Sequence, residues 1–180
     1  MPDPIRLVPK YANDEDSYNV SQKHGWEPTE HFSEELQQWT LPGADATVTW
    51  FEDPSTGVKQ FAIEGKDAQQ AVEQVEAGVD ILHPEDFEAY LERFTSANGL
   101  MGGLDSIGVA APDKATSALV KLYERYLGHD DPLVRRAALY SAGLTGWPEL
   151  VKPVEALSED PDKAVRDDVE PALKALRDAA

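Results

Sequence analysis

The chain has 180 residues, of which 41% are hydrophobic and none is cysteine, and it carries 34 acidic against 16 basic side chains for a formal net charge of −18. That hydrophobic content supports one folded domain or two small ones. No apolar run reaches the roughly 18 residues a membrane helix needs, the missing cysteines remove disulfides, thiolate zinc sites and cysteine nucleophiles, and so negative a field repels nucleic acid and anionic membranes.

The charge is uneven. Residues 1–110 hold 21 acidic against 6 basic side chains, and residues 111–180 hold 13 against 10. Such a layout attracts a basic protein surface, although acidity that serves solubility alone gives the same total. The start, Met1-Pro2-Asp3-Pro4-Ile5-Arg6, lacks a charged-then-apolar leader, so a cytoplasmic location is expected.

Ile5-Arg6-Leu7-Val8 reads as a short edge strand, and the rest of the first 28 residues as loop, with Pro2, Pro4, Pro9 and the run Asn13-Asp14-Glu15-Asp16. Asp14-Glu15-Asp16 resembles the start of a calcium loop. The loop fails, because its central glycine would be Asn19 and its closing glutamate Gly25. From Thr29 as N-cap, Phe32, Leu36 and Trp39 fall at helical spacing, and Pro42-Gly43 ends the pattern. His31, Glu34 and Glu35 would share one turn of that helix, but one histidine in a glutamate-rich chain is a weak metal signal.

Ala46 to Glu52 and Val58 to Glu64 alternate around Asp53-Pro54-Ser55-Thr56-Gly57, which predicts a hairpin. A lone hairpin is marginal in water. The next helix, capped by Asp67 and striped by Ala68, Ala71, Val72 and Val75, is the expected support, and Val79-Asp80-Ile81-Leu82 could add a third strand. Pro84 opens another helix with Phe87, Tyr90, Leu91 and Phe94 on one face. Residues 98–111 fit either a glycine loop or a weak helix with Leu100, Leu104, Ile107 and Ala111 inward. Four glycines at about 1 kcal/mol each oppose the helix. A helix is the reading adopted, because the segment after it needs a partner.

After Pro112 the apolar residues recur as four helices, broken at Gly128 to Pro132 and at Ser158 to Asp162. The second pair overlays the first at a shift of 31 residues, with Asp162 on Asp131, Val165 on Val134, Arg166 on Arg135 and Val169 on Ala138. A fixed period of this size marks stacked helical units. Asp131 and Asp162 are placed to cap the second helix of each pair. Arg135 and Arg166 are placed to bridge neighbouring units.

Asp131-Pro132-Leu133-Val134-Arg135-Arg136-Ala137-Ala138 resembles the second-helix motif of HEAT repeats of the short, phycobilisome-lyase type. The second copy, Asp160 to Arg166, departs from the pattern at Asp167-Asp168 and Pro171. The resemblance covers residues 113–177. It implies antiparallel helical hairpins, and the family includes scaffolds, immunity proteins, lyase-like modifiers and regulators. Because the inner helices of such arrays line the binding face, it also groups Arg136, Leu139 and Tyr140 as candidate binding residues. Tyr140 stands out from the residues themselves, since it falls off the apolar face of its helix. Trp26, Trp147 and Tyr11 are further aromatic candidates, whereas Trp39 and Trp50 fit a core.

The fold expected is α+β and mostly helical. An acidic α+β region, 1–82, would pack on a helical region, 83–180, made of a degenerate repeat at 84–111 and repeats at 113–144 and 147–177. No catalytic motif stands out. Ser106 lacks the glycine two residues earlier that a nucleophile elbow needs, and no phosphate-binding glycine motif or basic stripe is present. No metal or cofactor is expected. The leading expectation is a protein-binding module for a basic partner, in sharper form an immunity-type inhibitor of a basic toxin. A small lyase-like or hydrolase enzyme with a cleft between the regions is the alternative, and a structural subunit a third.

Overall fold

The structure is a computed structural model that describes residues 4–31, 33 and 36–178. The chain divides into two units, Met1–Leu82 and His83–Ala180, and the fold is α+β.

The first unit is a five-stranded antiparallel sheet, β1 (Ile5–Leu7), β2 (Glu27–Pro28), β3 (Leu36–Thr40), β4 (Thr47–Glu52) and β5 (Lys59–Glu64), in the order β1-β5-β4-β3-β2. The β4–β5 hairpin turns where the proline–glycine segment predicts it. Gly57 N donates to Asp53 O at 2.7 Å, and the Asp53 carboxylate accepts from the backbone of Ser55 and Thr56. Trp50 faces Phe61 across the pair, with ring centroids 4.6 Å apart.

Four expectations for this unit are corrected. Residues 13–28 are not all loop: Asp14–His24 is a helix, α1. Asn13 caps it in a reciprocal capping box with Asp16, Asp14 to Asp16 lie in its positively polarised first turn, and Gly25 closes it at φ 66°. Only Ser17, Val20 and Ser21 are buried, so the apolar periodicity that reveals a helix is nearly absent. Second, the helix expected from Thr29 through Trp39 is not formed. Leu36–Thr40 is strand, with Trp39 opposite Val48 and Gln37 opposite Trp50. The edge of β4 supplies a ladder of backbone hydrogen bonds, and the inward Trp39 gains a buried seat beside Trp26, which together outweigh a weak helical pattern. Phe32, Glu34 and Glu35 lie outside the described residues, so the metal candidate built on His31 falls there too.

Third, Asp67 stands at the N-cap of the following helix, α2 (Ala68–Glu76), as expected, but its side chain makes no capping bond; its carboxylate instead accepts the backbone N–H of Asp45 at 2.8 Å. Fourth, Val79–Leu82 adds no full strand, only an isolated bridge between Ile81 and Pro9 with flanking backbone bonds. Helix α2 buries Ala68, Ala71, Val72 and Val75, as its stripe predicts, in one core with Val20, Trp39, Trp50, Phe61 and Ile63.

The second unit is helical. A 3-10 turn at Pro84–Asp86 leads into α3 (Phe87–Leu91), shorter than the helix expected through Phe94. There follow α4 (Ala97–Val109), α5 (Ser117–Leu127), α6 (Pro132–Thr145), α7 (Val151–Glu155, with 3-10 turns on both sides) and α8 (Lys163–Asp178). Among the described residues no strand lies between 114 and 176. Helix α8 continues through Pro171, whose exposed position leaves only the bond to the Asp167 carbonyl unmade.

The glycine stretch is therefore a helix, and its glycines have a packing reason. A Cβ at Gly103 would lie 2.7 Å from a ring carbon of Phe94, and one at Gly108 would lie 2.7 Å from the Ser141 hydroxyl. Their absence lets α4 sit close to α3 on one side and to α6 on the other. Helix α6 packs between α4 and α8. Contacts climb these helices in the same direction, Leu104 to Ser141 and then Gly108 to Leu144, so α4 and α6 run parallel. Arg136 to Asp168 followed by Gly143 to Ala175 shows the same for α6 and α8.

Candidate functional site

The loops at the start of α6 and α8 are held by the two arginines of the repeat. Arg135 Nη1 donates to the carbonyls of His129 and Asp130, at 2.8 and 3.0 Å. Arg166 Nη1 donates to the carbonyls of Asp160 and Pro161, at 2.5 and 3.1 Å. Each arginine thus reaches the residues six and five positions before it. The caps repeat as well: Asp131 Oδ1 accepts from Leu133 N, and Asp162 Oδ1 from Ala164 N. Arg135 makes a further contact, gripping both oxygens of the buried Asp160 at 2.8 Å. That guanidinium holds the Asp160 carboxyl below the usual carboxylate range. Arg135 and Arg166 are therefore occupied with the fold.

Where α4, α5 and α6 meet, one buried hydroxyl joins all three. Ser141 donates to the Leu104 carbonyl at 2.5 Å, which uses its single proton, so Tyr123 donates to Ser141 at 2.8 Å. Burial pushes the Tyr123 phenol well above its ordinary value. Trp147 packs edge-on against Tyr123 and donates its indole N–H to the Pro112 carbonyl.

The outer side of α6 is different. Its apolar residues are buried except for Leu133, Tyr140 and Leu144, which are 44%, 43% and 40% exposed. Spaced at i, i+7 and i+11, they form one stripe along the helix. Of the three candidate binding residues, Tyr140 lies on this stripe and Arg136 beside it, with its Nε 2.6 Å from Asp168. Leu139 does not belong. It is 0% exposed, because one residue along a helix turns it by about 100° away from Tyr140, onto the edge where Gly143 meets α8. Leu133 and Leu144 take its place. Sequence reading passed them over because a leucine is taken for core by its type, although both fall off the apolar face together with Tyr140. Trp26, Trp39, Trp50 and Trp147 are core residues, whereas Tyr11 is exposed.

Asp105, on α4, borders the same stripe. It stands one turn before Gly108, whose α-carbon faces Leu144 and Ser141, so it lies level with the turn of α6 that carries Tyr140. It is half-buried and has no hydrogen-bond or ion-pair partner among the described residues. Loss of water around it raises its carboxyl to about 6.

Among the described residues no group of three His, Asp or Glu side chains is placed to hold a metal. Gly103 to Gly108 is helix, so Ser106 sits on no strand-to-helix turn; its hydroxyl donates to the Gly102 carbonyl. An open depression of about 410 Å³ between α5 and α7 is lined by Leu127, Pro153, Ala156 and Leu157, with Glu124 and Lys152 at the rim. Among the described residues no helix is long and apolar enough to cross a membrane. No protein-family model, curated protein or solved structure matches the chain.

Proposed function

We propose that the His83–Ala180 unit is a short stack of HEAT-like hairpins whose central helix, α6, docks a basic polypeptide. The observation that carries this reading is the stripe Leu133, Tyr140 and Leu144, exposed on a helix whose other apolar residues are buried. Exposed apolar residues scattered singly need no explanation, but three on one stripe, flanked by a charged residue, resemble the core of a protein contact. The repeated arginine and aspartate contacts support the HEAT-like reading, since they recur at the period of the sequence. The net charge of −18 supports a basic partner. In its sharpest form the partner is a basic toxin and this chain its inhibitor.

A photo-crosslinking amino acid placed at Tyr140, and separately at the exposed Lys121 of α5, tests the face in the native host. A basic protein captured at 140 and not at 121 supports the proposal. Equal capture at both positions, or none at 140, refutes it.

A further inference from the structure

Among the described residues Asp105 caps no helix and pairs with no cation, and it costs the fold the hydration of a half-buried carboxylate. The other acidic groups near the α6 face are engaged, Asp168 with Arg136 and Asp160 with Arg135. The surroundings of Asp105 are apolar or neutral. Leu144 and Tyr140 lie on α6, the Ser141 and Tyr123 hydroxyls are bonded to each other beneath, and α4 carries no second charge.

We propose that Asp105 is the seat for a lysine or arginine side chain of the docked polypeptide, with Tyr140 and Leu144 covering the stem of that side chain. The inference rests on the reading of α6 as a docking face. The chemistry favours a cation with an aliphatic stem. The stem covers apolar surface while the charged head meets the carboxylate, and a carboxylate already stripped of part of its water gives up less to form the pair than a solvated one. An anionic side chain would repel Asp105, and a neutral donor would hydrogen-bond to it but leave its charge unpaired.

The test uses the full chain with n-butylguanidinium as probe and n-butylurea as its neutral match, followed by NMR of the Asp105 side-chain carboxyl and of the Tyr140 and Leu144 side chains. Expected is saturable binding of the cation that lowers the Asp105 titration midpoint and shifts Tyr140 and Leu144 together, with no response to the urea. Asp105→Asn should weaken that binding by about tenfold or more, as should Asp105→Ala. Cation responses spread evenly over exposed carboxylates, or unchanged in Asp105→Asn, overturn the seat. Crosslinking at Tyr140 without an Asp105 response overturns the seat alone. An Asp105 response without crosslinking at Tyr140 overturns the docking face and leaves the seat standing.

Discussion

Arg135 and Asp160 stand 25 residues apart in sequence, and their side chains meet through two parallel hydrogen bonds of 2.8 Å, both largely shielded from water. Removing the arginine alone would strand a buried carboxylate and release the His129 and Asp130 carbonyls. Arg135→Ala should therefore cost about 3 kcal/mol at neutral pH, the lower part of the range for breaking such a pair. Asp160 is held below its ordinary value, so its stabilising contribution is present above the unfolded value of 3.8 and fades as pH falls through the folded one. The gap between wild type and variant in denaturant melts should thus narrow in acid to what the His129 and Asp130 carbonyl bonds contribute. An equal gap at all pH values would show that the pair with Asp160 adds nothing.

Asp105 works with the opposite sign. Its folded value of about 6 lies above the unfolded 3.8, so it favours the fold when protonated, and stability is lost as pH rises from about 4 to about 6. The Tyr123 hydroxyl facing it stays neutral over that window, since its own value is raised. Asp105→Asn should flatten this slope and stabilise the protein at pH 7 by on the order of 1 kcal/mol, a figure discounted for the solvent that still reaches the group. The same variant should bind the basic partner less well. Stability and binding moving together would contradict the role given to Asp105.

The glycines of α4 should separate by position. Gly102 has nothing within 4 Å of where a Cβ would be, so Gly102→Ala should stabilise by up to about 1 kcal/mol through helix propensity. At Gly108 a Cβ would lie 2.7 Å from Ser141 Oγ and 3.1 Å from the Ser141 carbonyl oxygen, which is fixed in the α6 backbone. Gly108→Ala should destabilise by about 1–3 kcal/mol from overpacking, more than propensity returns. Thermal melts decide, and equal effects at the two positions would contradict close packing of α4 on α6.

Association with a basic partner should slow as salt rises, because screening shortens the field to about 8 Å at physiological ionic strength. Glu73 and Glu85 are exposed, and neutralising both should reduce the salt slope of the on-rate while leaving the fold intact. Asp80 and Asp86 are poorer choices, since Asp80 pairs with Lys10 at 3.0 Å and Asp86 accepts from the His83 backbone. Tyr140→Ala should instead raise the off-rate with the slope unchanged. Surface plasmon resonance reads both, and association indifferent to salt would leave the acidity a solubility device.

The helices from α5 onward were legible because each buries a stripe that recurs at the period of the helix, and the β4–β5 hairpin because its turn chemistry is local; α4 stayed ambiguous because its four glycines argue against the helix they allow to pack. Helix α1 was hidden by its own polarity: its caps at Asn13 and Gly25 were in the sequence, but too few apolar residues mark its face. Strand β3 was hidden for the opposite reason, since Leu36 and Trp39 satisfy a helical spacing and only the neighbouring β4 makes them strand. At the candidate site, Tyr140 was readable as an exception to the pattern. Leu133 and Leu144 fall off the apolar face with it, but leucines are read as core by type, and the isolation of Asp105 depends on what surrounds it in space.

The Ser141 hydroxyl gives the surface of α6 a ruler. Sliding α6 along α4 by one turn would break both bonds of that hydroxyl and drive a side chain into the space that Gly108 leaves open. The same contacts oppose intermediate offsets and favour the register observed. The distance from Asp105 on one helix to Tyr140 on the other is then set from below by atoms no partner can touch. A change of Ser141 to a bulkier residue would move the spacing of the two groups with every surface side chain still in place.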